Sequence, residues 1–308
     1  MDVQHLPVLV AEVREWLEPG RGGLFVDATV GLGGHAATLL EASPDVQLIG
    51  IDRDPDALAI AARRLAEFGS RVRLVHANFH YLEQALAGLG VRRIAGVLAD
   101  LGVSSLQLGT AARGFSFRLD GPLDMRMGMS HVTAADLVNE TSEGDLETII
   151  REYGEERQAR RIARAIVRAR AEKPIQTTGD LKRLIDQVKG PRAAREERID
   201  PATRVFQALR IAVNQELARL DRFIEEAVNL LETDGRLIVI SYHSLEDRIV
   251  KNTFRDLARG DIDPVTGRSR SESQLIEVLT RKPVRPSVEE VELNPRARSA
   301  RLRAARRL

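Results

Sequence analysis

Four short apolar segments alternate with helix-forming segments over the first hundred residues, and this alternation constrains the fold more than any other feature. Asp54 and Pro55 predict the start of a helix after the second segment, and Gly69 predicts its end. Strands that alternate with helices predict a parallel sheet covered by helices on both faces, which is an α/β fold. The expected strands are Leu24–Ala28, Gln47–Ile51, Val72–Ala77 and Ile94–Ala99.

The next buried strand, Leu237–Tyr242, comes late in the chain. The interval from Asp100 to Gly235 is several times the roughly 30 residues that an ordinary crossover needs. Helical periodicity fills it, so we predict an all-α domain at 111–212, inserted between 1–110 and 213–308 of the sheet domain. The expected helices are Ser142–Tyr153, Glu155–Ala171, Asp180–Lys189 and one long helix that opens at Pro201 and carries the apolar stripe Phe206, Leu209, Val213, Leu217 and Leu220.

After the fifth strand we expect a helix at Leu245–Ala258 and a polar loop at Gly260–Ser271. The strand-like stretches Leu275–Leu279 and Arg298–Arg303 are expected to complete the sheet as an antiparallel pair.

Composition excludes several kinds of chemistry. The chain has no cysteine, so it has no disulfide partner, no thiolate metal site and no thiol nucleophile. We find neither a signal-peptide pattern at the start nor an apolar segment of membrane-spanning length, and we therefore expect a cytoplasmic protein without a membrane partner. Arginine greatly outnumbers lysine, which suits phosphate binding but also follows from codon bias.

The first strand, the loop Gly31–Gly34 and the next helix form a cradle of the dinucleotide type. Ala36 stands where a dinucleotide fingerprint has its third glycine. Asp52 ends the second strand at the position of a ribose-binding carboxylate, which suits both NAD and S-adenosylmethionine. Asp27, before the glycines, favours S-adenosylmethionine, because class I (Rossmann-like) methyltransferases carry an acid there.

Two further residues follow strands at the edge where ligands bind. Phe79 follows the third strand, where a side chain can pack on adenine, although without the surrounding pattern a core role would be preferred. Asp100 ends the fourth strand. Methylation of pyrimidine carbon 5 normally requires a thiol, so transfer to nitrogen or oxygen remains, with a ribose oxygen served by Lys251 and Asp100 as one alternative. Phe115, Phe117 and Tyr242 are candidates for stacking on a base.

The histidines give no metal site by spacing. His76 and His80 are four residues apart, but His76 ends a strand, so we expect the two rings to face differently. Ser244 and Asp247 are typical of a helix cap, whereas His243 is harder to explain in that way.

The predicted helix Glu155–Ala171 carries arginines at helical spacing, opposite an apolar face. These are Arg157, Arg161, Arg164 and Arg168, with Arg160 beside them. We interpret the stripe as a phosphate-binding surface, the alternative being a solvated face paired with Glu155 and Glu156. The arginine-rich C-terminal segment also suits RNA.

Several stretches together resemble one family almost throughout the chain. They are DATVGLGGH (Asp27–His35), IDRDPDAL (Ile51–Leu58), DLGVSSLQL (Asp100–Leu108), RGFSF (Arg113–Phe117), DGPLDMRM (Asp120–Met127), YGEERQARRIARAI (Tyr153–Ile166), PATRVFQALRIAVNQEL (Pro201–Leu217), SYHSLEDRIVK (Ser241–Lys251) and NPRARSARLR (Asn294–Arg303). The chain resembles the RsmH (MraW) family of bacterial methyltransferases, which act on N4 of a decoding-centre cytidine in 16S ribosomal RNA.

The resemblance implies a class I fold with a helical insert, S-adenosylmethionine as cofactor and 16S rRNA in the small ribosomal subunit as partner. The resemblance leaves open whether the protein forms a homodimer. The residues that it implies for cofactor binding are Gly33, Gly34, His35, Asp52, Phe79, Asp100 and Gln107. We assign catalysis to Asp100, Ser104 and His243, RNA contacts to Arg113, Phe115, Phe117, Arg157, Arg161 and Arg164, and no residue to a metal.

The chain departs from the family at Ala36, where a serine is often found, at Tyr242, where phenylalanine is common, and in a short 260–271 loop. We expect the first two to leave the chemistry unchanged, whereas the third puts an RNA role of that loop in doubt. Two rival functions are weighed against methyl transfer. An NAD-dependent oxidoreductase would bind NAD, and a non-catalytic ribosome-assembly factor would bind the small subunit without transferring a methyl group.

Overall fold

A computed structural model describes residues 7–128, 130–196, 200–261 and 271–308. The chain divides into two compact units, Met1–Gly102 with Ala218–Leu308 and Val103–Leu217. The predicted insertion at 111–212 falls within the range of the second unit. The part of the loop Gly260–Ser271 at 262–270 lies outside the described residues.

The first unit is built on a mixed sheet whose strand order is β3-β2-β1-β4-β5-β7-β6. Neighbours from β1 to β5 pair in parallel, and β7 lies antiparallel between β5 and β6. This is the strand order of class I methyltransferases, and the fold class predicted from the sequence is confirmed. The strands are β1 (Gly23–Asp27), β2 (Val46–Asp52), β3 (Val72–His76), β4 (Ile94–Asp100), β5 (Leu231–Ser241), β6 (Ile276–Val278) and β7 (Arg301–Arg307).

Helices flank the sheet and make up the second unit. In the described residues the α-helices are α1 (Val10–Leu17), α2 (Gly34–Ala42), α3 (Pro55–Arg64), α4 (Leu82–Ala87), α5 (Ser105–Gly109), α6 (Ala134–Glu140), α7 (Glu143–Gly154), α8 (Ala159–Glu172), α9 (Thr178–Glu196), α10 (Thr203–Asn214), α11 (Leu220–Leu230), α12 (Ser244–Arg259) and α13 (Val288–Leu293). Among these residues no helix is both long and apolar enough to cross a membrane.

The sheet is buried on both faces, which explains why its central strands are continuous apolar runs. Because successive side chains of a strand point to opposite faces, Val26 packs in the core that contains Phe223 of α11. Its neighbour Phe25 packs in the other core, with Leu39 of α2. Both cores bring the carboxyl ends of β1, β2 and β4 to one edge.

The single long helix expected from Pro201 to Leu220 is wrong. α10 ends at Asn214 and α11 begins at Leu220, and Gln215 has a φ of +50° that no continuing helix allows. The side chains at the break stabilise it. Asn214 donates to the Met125 carbonyl at 2.7 Å and accepts from the Met127 N–H at 2.9 Å, and Arg210 pairs with Glu216 at 2.8 Å. The spacing of apolar residues does not indicate where polar side chains end a helix.

Several element boundaries also differ from expectation, among them those of α3, α8 and β5. α3 ends at Arg64 rather than Gly69, because a 3₁₀ turn at Ala66–Arg71 follows it. α8 begins at Ala159 rather than Glu155, whose φ is +48°, so Arg157 precedes the helix. β5 begins at Leu231, six residues early. The antiparallel pair at the end of the chain is confirmed as β6 and β7.

The helical unit has its own core. Leu146 and Ile150 of α7, Ile162 and Ile166 of α8 and Leu209 of α10 are fully buried in one cluster. The spacing by four residues places each pair on one helix face, so each helix turns an apolar stripe inward and leaves its polar residues outside.

Candidate cofactor and methyl-transfer site

Three carboxylates collect at one edge of the sheet. Asp27, Asp52 and Asp100 are the last residues of β1, β2 and β4. β1 and β4 are neighbours, and the strand order changes direction between them. In open α/β sheets, ligands bind in the crevice that such a reversal opens at the carboxyl ends of the strands. The three acids therefore surround the expected ligand site.

The Asp52 carboxylate organises the loop after β1. It accepts a hydrogen bond from the Gly31 N–H at 2.8 Å and another from the Asp54 N–H at 2.9 Å. A carboxylate offers about four lone pairs, so two acceptor positions remain for a diol. Asp27 accepts from the Thr29 N–H at 3.2 Å, and the Thr29 hydroxyl accepts from the Asp100 N–H at 2.7 Å. The loop and β4 are thereby joined.

Asp100 lies in a polar cluster. The Tyr242 hydroxyl donates to its Oδ1 at 2.8 Å, and the His35 Nε2 lies 3.7 Å from its Oδ2. The backbone of Tyr242 is fixed in turn, since its N–H donates to Glu246 of α12 at 2.8 Å. One carboxylate oxygen of Asp100 is therefore held by a neutral donor, and the other faces an imidazole.

Burial raises the pKa of all three acids. It raises the pKa of Asp27 to about 8, and the Thr29 N–H opposes this only in part. It raises the pKa of Asp100 to about 7, although the Tyr242 hydrogen bond lowers it, and it also raises the pKa of Asp52. A bound cation would stabilise the carboxylate forms and so offset the desolvation that raises these pKa values.

This donor set fits one of the two cofactors that the sequence left open. S-adenosylmethionine carries a sulfonium, an ammonium and a ribose diol, which suit carboxylates. The pyrophosphate of NAD would leave these buried acids without a compensating cation and would be repelled by those that are ionised. The site therefore fits S-adenosylmethionine.

The glycines of the loop serve different purposes. Gly31 has a φ of +51°, and an added Cβ would meet only the Thr29 carbonyl at 3.8 Å, so this position is open. A Cβ at Gly33 would lie 3.2 Å from Leu65, and one at Gly34 would lie 3.0 Å from Pro7. These two glycines allow close packing around α2, and their contact with the cofactor stays a prediction.

Phe79 is half-buried in a 3₁₀ turn after β3, edge-on to Phe223 at 5.0 Å between ring centroids. It thus has a core contact as well as an exposed part, and its role toward adenine stays a prediction. His76 is exposed while His80 is buried against Phe79. The two histidines face differently, as their strand position indicated.

His243 is a helix cap, contrary to the expectation that capping does not explain it. Its Nδ1 accepts from the Glu246 N–H at 3.4 Å, and the Glu246 carboxylate accepts from the His243 N–H at 3.3 Å. Asp247 accepts instead from Arg303 of β7 at 2.7 Å. A catalytic role of His243 stays a prediction, and the cap on α12 gives the residue a structural role as well.

Ser104 and Gln107 belong to the helical unit, where they close a reciprocal cap on α5. The Ser104 N–H donates to the Gln107 side chain at 3.0 Å, and the Ser104 hydroxyl accepts from the Gln107 N–H at 3.3 Å. This cap accounts for both side chains within the unit. Their catalytic and cofactor roles stay predictions.

The aromatic residues proposed for RNA contribute to the core of the helical unit. Phe115 is buried there, and Phe117 is edge-on to Phe206 at 5.0 Å. Arg113 donates to the Arg126 carbonyl at 3.2 Å. These contacts account for all three residues in packing terms, so their RNA contacts remain proposals.

The arginines of the C-terminal segment are largely engaged in the sheet. Arg303 pairs with Asp247, and Arg306 pairs with Asp234 and Glu277 at 2.7 and 2.6 Å. The ion pairs explain much of the charge of this segment, and they weaken its interpretation as an RNA-binding tail.

Sequence reasoning missed three contributors to the site. Thr29 joins the first loop to β4, Tyr242 holds Asp100, and Glu246 fixes Tyr242. From the sequence, Tyr242 was a candidate for stacking, and its difference from the family's phenylalanine was expected to be neutral, whereas its hydroxyl donates to Asp100. Its signal was available, because it follows β5, the parallel neighbour of β4, and so ends at the same edge.

Comparison with known proteins identifies the family of this chain. The MraW methylase family matches residues 2–308. The ribosomal RNA small subunit methyltransferase H of Geotalea uraniireducens is 54% identical, over 100% of this chain and 99% of the relative. The protein of the same name from Geobacter sulfurreducens is 54% identical over 100% of both chains.

Among solved structures, an rRNA methylase from Streptococcus thermophilus overlaps loosely, with a TM-score of 0.41 and 13% identity over 97% of this chain and 93% of the other. The family match alone spans almost the entire chain. The chain therefore belongs to the MraW methylase family and is a methyltransferase that uses S-adenosylmethionine.

Proposed function

We propose that this protein transfers the methyl group of S-adenosylmethionine to N4 of a specific cytidine in the decoding centre of 16S ribosomal RNA. The observation that carries the proposal is the full-length identity of 54% to relatives named ribosomal RNA small subunit methyltransferase H. The sequence resemblance supplies the cytidine and its N4 amine.

The residues at the sheet edge are suited to a weak nitrogen nucleophile. The exocyclic amine of cytosine shares its lone pair with the ring, so the enzyme has to orient its N–H bonds and accept a proton as the new bond forms. Asp100 offers two carboxylate oxygens for this task. Tyr242 donates to one of them, which leaves the second, on the His35 side, as the acceptor that we assign to N4.

When bound, the cofactor supplies an electrophilic methyl group on a sulfonium. In the protein, Asp52 orients the loop through Gly31, and we assign its two remaining acceptor positions to the ribose diol. Asp27 is buried next to the same loop, and a cationic ligand would stabilise its carboxylate and lower the raised pKa. Tyr242 cannot act as the base, because burial and the nearby Asp100 raise its pKa well above the usual value.

Two alternatives are less well supported. A thiol-dependent attack on a pyrimidine ring requires cysteine, and the sequence contains none. A ribose oxygen activated by Lys251 would need that lysine near Asp100. Lys251 is exposed on α12, and no ion pair joins it to Asp100 among the described residues.

The test is incubation of the protein with labelled S-adenosylmethionine and small subunits that lack the modification, followed by digestion to nucleosides. We expect label in N4-methylcytidine. Label in a 2′-O-methylated nucleoside or in another base would refute the proposed acceptor. Binding of subunits without any label transfer would favour the assembly-factor alternative.

For RNA binding we propose the helical unit. Arg157, Arg161 and Arg164 are exposed there and carry the positive charge that a phosphate backbone requires.

A further inference from the structure

The helical unit contains a cleft of ≈ 600 Å³ between α8 and α9. Its volume falls within the range of pockets that hold small ligands. Unlike such pockets in general, it is lined mainly by positive charge. The lining residues used below are Arg160, Arg161, Arg164, Arg168, Gln187 and Val188.

The arginines form a regular row along α8. Arg160, Arg164 and Arg168 follow one another at intervals of four residues, so they stand about 6 Å apart along the helix axis. Ile162 and Ile166 are fully buried on the opposite face of the same helix. The row is therefore fixed in direction, and its spacing resembles that of successive phosphates along a nucleic-acid strand.

The four guanidinium groups have different partners. Arg161 bridges the walls of the cleft, since it donates to the Gln158 side chain at 2.9 Å and to the Val188 carbonyl of α9 at 3.3 Å. Arg164 is 3.5 Å from Glu143, and both side chains are exposed, so this pair is weak. Within the described ranges, Arg160 and Arg168 have neither a hydrogen-bond nor an ion-pair partner.

This arrangement is unfavourable for the protein alone. Like charges four residues apart destabilise a helix by about 0.2–0.5 kcal/mol per pair, and the row contains two such pairs. Anions in the cleft would remove that repulsion, and Gln187 adds an amide donor. Arginine suits phosphate in particular, because its planar fork donates two parallel hydrogen bonds.

We infer that the cleft between α8 and α9 binds consecutive phosphates of an RNA strand, with Arg160 and Arg168 as the principal contacts. Arg161, which the sequence assigned to RNA, adds its charge to the cleft, but its main role here is to position α9 against α8 through Val188. Arg164 exchanges Glu143 for phosphate. The inference rests on the proposed function in that the ligand is RNA. It narrows the phosphate contact from the whole arginine stripe to the residues that line the cleft.

The test compares Arg160→Ala/Arg168→Ala with the wild-type chain in binding to unmethylated small subunits over a range of salt concentrations. Loss of two single-strand phosphate contacts should reduce the slope of log K against log salt by about 1.4. Affinity should therefore fall about 25-fold at 0.1 M salt relative to the wild type, and the difference should vanish near 1 M. Arg160→Lys/Arg168→Lys should keep most of the slope.

Arg151→Ala/Arg183→Ala is the matched control. It removes the same charge from exposed arginines of the same unit that already pair with Glu147 and Asp180. A control that loses as much slope as the cleft variant would overturn the inference, because the effect would then be general charge. An unchanged slope in the cleft variant would also overturn it.

Two further measurements distinguish failure of the proposed function from failure of the cleft proposal. Calorimetry with S-adenosylmethionine and methyl transfer by the wild-type protein are measured in the same series. If the wild type transfers label to N4 of cytidine while the cleft variant keeps its salt slope, only the cleft is refuted. If the wild type binds cofactor but not small subunits, both proposals fail.

Discussion

Replacement of Tyr242 by phenylalanine removes one hydroxyl and leaves the ring in place. That hydroxyl donates to Asp100 Oδ1 at 2.8 Å, and the bond lowers an Asp100 pKa that burial raises to about 7. A hydrogen bond to a charged group is worth about 1.5–3 kcal/mol, and 1.36 kcal/mol corresponds to a change of one in pKa. Tyr242→Phe should therefore raise the Asp100 pKa by about 1 to 2.

The direction of the pH dependence follows from which protonation state of Asp100 is active. The carboxylate is the form that accepts an N4 hydrogen, so activity falls as the pH decreases through the Asp100 pKa. Other charged or titratable groups near Asp100 are His35 on α2, Asp27 on β1 and Glu246 on α12, and none of them is altered. At pH 7 the ionised fraction should drop from about half to about 1–10%, with recovery at higher pH.

The assay is kcat/KM for S-adenosylmethionine as a function of pH, because this ratio reports pKa values of the free enzyme. We expect the acid limb of the variant to move up by about 1 to 2 pH units, with a loss at pH 7 of about 5- to 50-fold. Tyr153→Phe, in the helical unit, is the control and should leave the profile unchanged. An unmoved limb, or an equal loss at every pH, would refute the reasoning.

Three further predictions concern the cofactor and the stability of the two units. Asp52→Ala should weaken S-adenosylmethionine binding by about 1–3 kcal/mol through lost charged hydrogen bonds; unchanged affinity in calorimetry would remove Asp52 from the site. The Asp27 pKa is raised to about 8, so the native state retains a proton that the unfolded chain loses near pH 4, and stability falls between these values as pH rises. Asp27→Asn should flatten this decline in the Tm of the cofactor-free protein, and a decline as steep as in the wild type would contradict it. Asn214→Ala leaves buried backbone groups of Met125 and Met127 without their partner and should cost about 2–4 kcal/mol in urea unfolding, an exposed Asn229→Ala serving as control.

The sheet was predictable because its strands are buried on both faces. The run from Ile94 to Asp100 is apolar up to its final acid, and the run around Val26 ends in the same way. In both, the apolar run predicts a buried strand and the acid marks where the strand ends. The acids at the strand ends were predictable for the same reason, since parallel strands bring their carboxyl ends together.

The break between α10 and α11 was not predictable from apolar spacing. The stripe from Phe206 to Leu220 continues through residues that leave the helix, and Asn214 ends it by bonding to backbone 87 to 89 residues away. Such a long-range polar contact has no local signature. The same holds for Tyr242, whose partner Asp100 is 142 residues distant.

The phosphate-binding role of the charged surface stays a prediction, and the sequence could not divide that role among the arginines. Helical spacing identified the arginines of α8 but did not show which of them have partners inside the protein. Arg160, Arg161 and Arg168 all line the cleft. Arg161 donates to the Val188 carbonyl, whereas the other two have no such partner among the described residues. This difference depends on the packing of α9 against α8.

The role of Asp100 toward the N4 amine is tested most directly by the single-turnover rate of Asp100→Asn at saturating S-adenosylmethionine with unmethylated small subunits. The substitution keeps the shape and removes the charge, and Asp45→Asn at an exposed position is its control. If Asp100 orients or deprotonates the N4 amine, the rate stays about 10²-fold or more below the wild type even at saturation. If saturation restores the rate, Asp100 acts only on the cofactor, and a wild-type rate with wild-type cofactor affinity would contradict the account of this site.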